Sequence, residues 1–155
     1  MKLRNDLLDC KSPPGLEVCQ LTDEAGVSGA HVYMEAQVFS PDSRFLILER
    51  NGNAHDQTPG DPEHRYVVCD LQDRCRLHPL TDELQANAPA LTPDGTWVYY
   101  LVDRSVPGGG SVDLKRVRLD GAGRETLMVI DHPLPGTPFR PSRIYPLSTI
   151  SSDGT

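Results

Sequence analysis

The strongest constraint on what this chain can fold into is a turn that occurs three times, as "FSPDS" at 39–43, "LTPDG" at 91–95 and "ISSDG" at 150–154. The turn aspartates Asp42, Asp94 and Asp153 lie 52 and 59 residues apart. A second signature recurs in another register, "QLTDEAG" from Gln20 and "PLTDELQ" from Pro79. A repeated supersecondary unit changes how every motif inside it is read, because a role assigned to one copy must be possible for the others.

Between the turns the pattern is β. "RFLILER", "RYVVCDL", "TWVYYLVD" and "VDLKRVRLD" are short β-branched or aromatic runs bounded by Gly, Pro, Asn or Asp, several with period-two alternation. No stretch carries a three-turn amphipathic helix. The runs predict strands near 35–39, 44–50, 65–70 and 75–80 in a first unit, and near 87–91, 96–102, 112–119 and 124–130 in a second. Four antiparallel strands per repeat of roughly 40–50 residues is the plan of a β-propeller. The expected fold class is therefore all-β: about two four-stranded propeller blades plus the start of a third, an incomplete propeller.

In that scheme residues 1–14 are a lead and 15–23 an outer strand closing the last blade of a ring. Blade one spans 31–82, blade two 87–131, and a proline-rich link 132–143. Residues 144–155 supply the first strand and turn of a truncated third blade. The Gly/Pro-rich stretches "NGNAHDQTPGDPEH" and "RSVPGGGS" become loops between second and third strands. Known propellers use more blades than this, so the chain reads as the N-terminal part of a longer propeller, or as a fragment completed by remaining blades or other copies.

In the turn itself, proline presets φ at the second position and the aspartate can accept hydrogen bonds from nearby backbone N–H groups. Gly95 and Gly154 supply positive φ. Asp42, Asp94, Gly95, Asp153 and Gly154 are thus read as structural, since a catalytic carboxylate repeated in each unit would need several equivalent active sites.

Other residues are candidates for a site. His31, Tyr33, Glu35 and Gln37 alternate through the approach to the first strand, the strand that lines a propeller's central channel. They could meet a ligand there or merely solvate the channel mouth. Arg140, Arg143 and Tyr145 occupy the equivalent place before the third unit, and an arginine fork suits a carboxylate. The arginines could equally pair with surface acids. His55, His64, His78 and His132 are dispersed and form no local metal cluster. No metal-ligating set is expected in this chain.

The net charge of −7 argues against a nucleic-acid partner, which needs a basic face. No apolar run approaches the ~20 residues of a membrane span, and the first residues carry no signal-peptide core, so a cytoplasmic location is expected. Cys10, Cys19, Cys69 and Cys75 lack zinc spacing. Cys69 and Cys75 could face each other across a hairpin, with free thiols the expected state in a reducing compartment. G-x-S-x-G, Walker and H-E-x-x-H motifs are absent.

The order of these pieces resembles the start of the oligogalacturonate lyases, seven-bladed propellers of bacterial pectin catabolism. The matching residues are Gly15, Glu17, Val18, Leu21 and Thr22, then His31 and Gln37, then Phe39, Ser40, Asp42 and Ser43. "YVVCDLQDRCRLHPLTD", "LTPDGTWVYYL" and "LKRVRLD" extend the resemblance over most of 15–155.

The resemblance implies cytoplasmic β-elimination of short unsaturated galacturonates, a small acidic oligosaccharide, assisted by a manganese-like divalent ion. It places the metal ligands and the base in later blades, so this segment alone is expected to be inactive. His31, Tyr33, Gln37, Arg143 and Tyr145 would at most line the substrate channel. Where the family carries an aromatic run this chain has "VYMEA", whose Glu35 would repel an acidic sugar unless paired. Two other classes stay open: a non-catalytic TolB-like binding propeller, and the propeller preceding a serine peptidase domain.

Overall fold

A computed structural model of the chain describes residues 2–23, 29–33, 35–50, 65–107, 109–142, 144–145 and 147–153. Among these the protein is all-β and antiparallel, apart from a single 3-10 turn, Asn5–Leu7. Strands β1 (Lys2–Leu3) and β2 (Cys19–Gln20) form a small two-stranded sheet. Strands β3 (Gly29–His31), β4 (Phe45–Arg50), β5 (Arg65–Asp70) and β6 (Arg76–Pro79) form one four-stranded meander. Strands β7 (Ala86–Leu91), β8 (Trp97–Val106), β9 (Gly109–Arg118) and β10 (Glu125–Ile130) form a second.

The sequence pattern explains the burial of each sheet. Along β8, Val98, Tyr100 and Val102 are buried while Trp97, Tyr99 and Leu101 are only half-buried, the alternation of a strand with one covered face. The β4 and β5 runs are continuously apolar over "FLIL" and "YVVC", and both of their faces are covered. Ile47, Tyr66 and Val68 pack with Leu80, Leu91, Val98, Tyr100, Val102 and Val117 between the two sheets. Leu48, Val67, Cys69 and Cys75 form a second cluster on the opposite face of the first sheet, with Leu21 against it.

Aligning the two units at Asp42 and Asp94 shows how this packing propagates. Phe45 and Ile47 face the second sheet, and their counterparts Trp97 and Tyr99 face away from the first. Leu46 and Leu48 belong to the rear cluster, and their counterparts Val98 and Tyr100 face the first sheet. A front face therefore meets a back face. Such head-to-tail contact does not close after two copies, unlike the isologous contact of a two-fold pair. The two "LTD" segments obey the same rule: Leu80 is buried between the sheets, and Leu21 takes the corresponding place behind the first sheet.

Two expected elements differ. In place of a strand at 35–39, the chain pairs at Gly29–His31 and again at a single Phe39–Leu46 bridge, looping out between them. Val38 still accepts the Ile47 N–H at 3.0 Å, while the Gln37 carbonyl, facing the other way, receives the Leu91 N–H at 2.9 Å from the second sheet. Much of the expected loop 104–111 is strand, since β8 and β9 stay paired out to Val106 and Gly109. Arg104 and Asp113, 3.0 Å apart, tie the two strands together there. At Gly110 (φ +125) a β-carbon would lie 2.6 Å from the Arg104 carbonyl, so the glycines permit close pairing rather than a floppy tip.

Segment 15–23 contributes β2, whose partner is β1 within the lead. The described residues of 144–153 form no strand, although a turn occurs at 152–153. The link residues 132–140 are exposed, with a turn closed by Thr137 N–H on the Leu134 carbonyl. All four cysteines are free thiols.

Candidate functional site

The first segments of the three repeats run side by side. Leu91 donates to the Gln37 carbonyl, and one repeat further on Ser148 Oγ donates to the Ala88 carbonyl at 2.6 Å. The Ala88 carbonyl is available because β7 bulges between Asn87 and Ala90, with Ala88 at φ +51 and Pro89 lacking an N–H. Asn87 Oδ1 accepts the Ala88 N–H at 2.9 Å. Gln37 and Ala88 thus each give a carbonyl to a later segment of the chain.

Tyr33 and Tyr145 come together edge to face, ring centroids 6.4 Å apart, from segments 112 residues distant in the chain. Both rings are exposed, at 41% and 63%. The Tyr33 hydroxyl has its pKa raised, first by a hydrogen bond with Tyr145 and the charge of that group, then by the Glu35 carboxylate. Ala36 N–H donates to the Tyr33 carbonyl at 2.9 Å.

His31 and Gln37 are not drawn into it. His31 Nδ1 lies 2.7 Å from the Val32 carbonyl; since a carbonyl only accepts, Nδ1 is the donor. Gln37 Nε2 donates to the Phe39 carbonyl at 3.0 Å. Arg140 is exposed. Arg143 and Gly154 lie outside the described residues, as do His55 and His64.

The divalent ion implied by the family resemblance does not fit the described residues. No three His, Cys, Asp or Glu side chains converge among them, and His31 and Gln37 direct nitrogens to carbonyls of their own segment.

The repeated turns hold their own carboxylates. Asp94 accepts from Thr92 Oγ1, from Thr96 N–H at 3.0 Å and from Thr96 Oγ1 at 2.8 Å. The Thr92 hydroxyl donor and the two Thr96 donors hold its pKa down at about 2. Asp42 accepts from Ser40 Oγ and Arg44 N–H, and Asp153 from Ser151 Oγ. These carboxylates accept hydrogen bonds within their own turns.

Between the sheets lies a groove of about 560 Å³, bordered by Phe45, Asp70, His78, Thr96, Arg118 and Asp120. Its charges are matched internally: Arg44 holds Asp70 at 2.7 Å and Arg118 holds Asp120 at 2.9 Å. His132 is exposed beside Asp131.

The polar centre that sequence reasoning missed is Glu83. Its carboxylate accepts from Lys115 Nζ at 2.8 Å and from Tyr100 Oη at 3.0 Å, and Arg124 joins it to Asp82 and the Leu80 carbonyl. Burial pushes the Glu83 pKa up, but the Lys115 and Tyr100 donors outweigh it and the net shift is downward. The signal was present in the recurrent "LTDE", whose acidic pair sits where two sheets meet. This centre joins the sheets and opens on no substrate-sized cavity described above. Searches of family models, of curated proteins and of solved structures find no match to this chain.

Proposed function

We propose that the chain forms two neighbouring blades of a β-propeller of the oligogalacturonate lyase-like type. Its first segments line an axial channel for a small acidic oligosaccharide, and the reacting groups and divalent ion of β-elimination come from other blades. The observation that carries this reading is the head-to-tail contact of the two sheets together with the stitched row Gln37, Leu91, Ala88 and Ser148. A repeat that stacks front to back and aligns its first strands is suited to building a ring with those strands inside.

Within such a channel the chain supplies wall: the His31 ring and the Tyr33 and Tyr145 hydroxyls, without a base placed on a reacting atom. The test is a titration of this chain with unsaturated digalacturonate, followed by amide NMR shifts and by absorbance of the conjugated product. Weak saturable shifts confined to segments 29–39 and 144–151, with no absorbance change in the presence of Mn²⁺, are expected. Turnover by the chain alone, or shifts confined to the groove around His78, would overturn it.

A non-catalytic binding propeller is the second reading, and Glu35 beside Tyr33 is the observation that favours it. A carboxylate at the mouth repels an acidic sugar and suits a different ligand.

A further inference from the structure

We infer that the Tyr33, Tyr145 and Glu35 corner is a recognition site for an alkylated ammonium head group. Two tyrosine rings at 71° to one another and 6.4 Å between centroids form an open wedge, both rings reachable from solvent. Aromatic faces carry negative quadrupole density and attract cations, and a carboxylate beside them supplies the counter-charge of an aromatic cage. Glu35 is exposed two residues from Tyr33 and its charge acts on the Tyr33 hydroxyl. The other titratable group on the same approach, His31, has Nδ1 engaged with the Val32 carbonyl at 2.7 Å.

Ligand geometry favours the alkylated ammonium over a metal ion. Phenol rings set edge to face offer π surface, not a set of converging oxygens, and no three metal-binding side chains converge among the described residues. The chain's net charge of −7 adds a long-range field that favours cations. The site stands on this chain's own residues and does not depend on the lyase-like reading above.

The experiment is NMR on chain carrying ring-labelled tyrosine, titrated with tetramethylammonium chloride against sodium chloride at equal ionic strength. Parallel titrations use 3,3-dimethylbutan-1-ol, a neutral molecule of the same shape, and sodium galacturonate. Saturable shifts are expected at Tyr33 and Tyr145 but not at buried Tyr66 and Tyr100, with the neutral isostere about tenfold weaker. Tyr145→Ala should abolish the response and Glu35→Gln should weaken it several-fold, while the Tyr66 and Tyr100 signals stay in place and report an intact fold.

Equal response to the neutral isostere would overturn the site, as would an unchanged response in Tyr145→Ala. So would shifts from galacturonate and none from tetramethylammonium, an outcome that leaves the carbohydrate reading standing.

Discussion

Gly95 rests directly on Pro41: a β-carbon at Gly95 would come within 2.7 Å of the Pro41 Cδ. The turn of the second unit is thus seated on the turn of the first, and Gly95 also holds φ +74. Gly95→Ala meets both a steric clash and a strained backbone, and should cost about 2 kcal/mol. Its counterpart Ser43 keeps φ +57 with a side chain, so Ser43→Gly should be neutral or stabilising, by up to ~1 kcal/mol. Urea denaturation of the two variants reads both signs. Equal destabilisation by both would show that the turns are not packed in this order.

The turn carboxylates predict an acid limit to stability. Asp94 and Asp70 both have pKa values lowered to about 2 from 3.8, Asp94 chiefly by the Thr92 hydroxyl and Asp70 chiefly by Arg44. A depressed folded pKa contributes stability that is complete above the unfolded value and is lost as pH falls through the folded one. Thermal midpoints should therefore hold above about pH 4 and fall steeply towards about pH 2. Asp94→Asn should start lower at neutral pH and show a shallower acid slope. A slope identical to that of the parent would assign the acid loss to other groups.

Much of the two large sheets was legible because their strands are bounded by turn residues and carry apolar side chains in period two. The second strand of the first unit, expected at 44–50, runs from Phe45 to Arg50, and the last of the second, expected at 124–130, from Glu125 to Ile130. The first strand of the first unit was not legible. Its pairing is split between Gly29–His31 and a lone Phe39–Leu46 bridge, and the Gln37 carbonyl is taken by Leu91, 54 residues away; local alternation carries no trace of a partner in another sheet. The pairing of Tyr33 with Tyr145 was implied only by the repeat, which placed both before a first strand. Glu83 was hidden for a related reason: in sequence "TDEL" looks like a solvated turn, and only the approach of Lys115 and Arg124 makes it an interior charge.

Glu83 should be the costliest polar residue to remove. Its carboxylate and the Lys115 ammonium are both largely shielded, at 16% and 14% side-chain exposure. Glu83→Gln leaves the shielded Lys115 ammonium without its carboxylate, while Arg124 keeps Asp82, and should destabilise by about 3 kcal/mol. Glu83→Gln combined with Lys115→Met removes the stranded charge and should recover part of that loss. A double-mutant cycle in urea reads the coupling. Strict additivity would mean that the two side chains do not share a site.

The head-to-tail packing makes a prediction about faces. Ile47 is fully buried between the sheets, whereas its repeat counterpart Tyr99 is half-buried on the far face of the second sheet. Ile47→Ala should cost roughly 3 kcal/mol as a core truncation. Leu101→Ala, on that same far face, should cost under about 1 kcal/mol. If the Leu101 variant is as damaged as the Ile47 variant, both faces of the second sheet are covered and the stack does not end where it is described.

Thiol chemistry checks the rear cluster behind the first sheet. Cys10 and Cys19 are exposed, whereas Cys69 and Cys75 are buried together against Leu48 and Val67. Burial, with the neighbouring Cys75 thiol, pushes Cys69 up to about 12, so almost no thiolate exists at neutral pH, and the thiolate is the reactive form. Iodoacetamide applied to the native protein should modify Cys10 and Cys19 and spare Cys69 and Cys75; in denaturant all four should react. Protection should fail selectively in Leu21→Ala, because Leu21 packs against that cluster from the "LTD" segment. If the variant shields Cys69 as well as the parent does, the segment around Leu21 is not what covers the rear face of the first sheet.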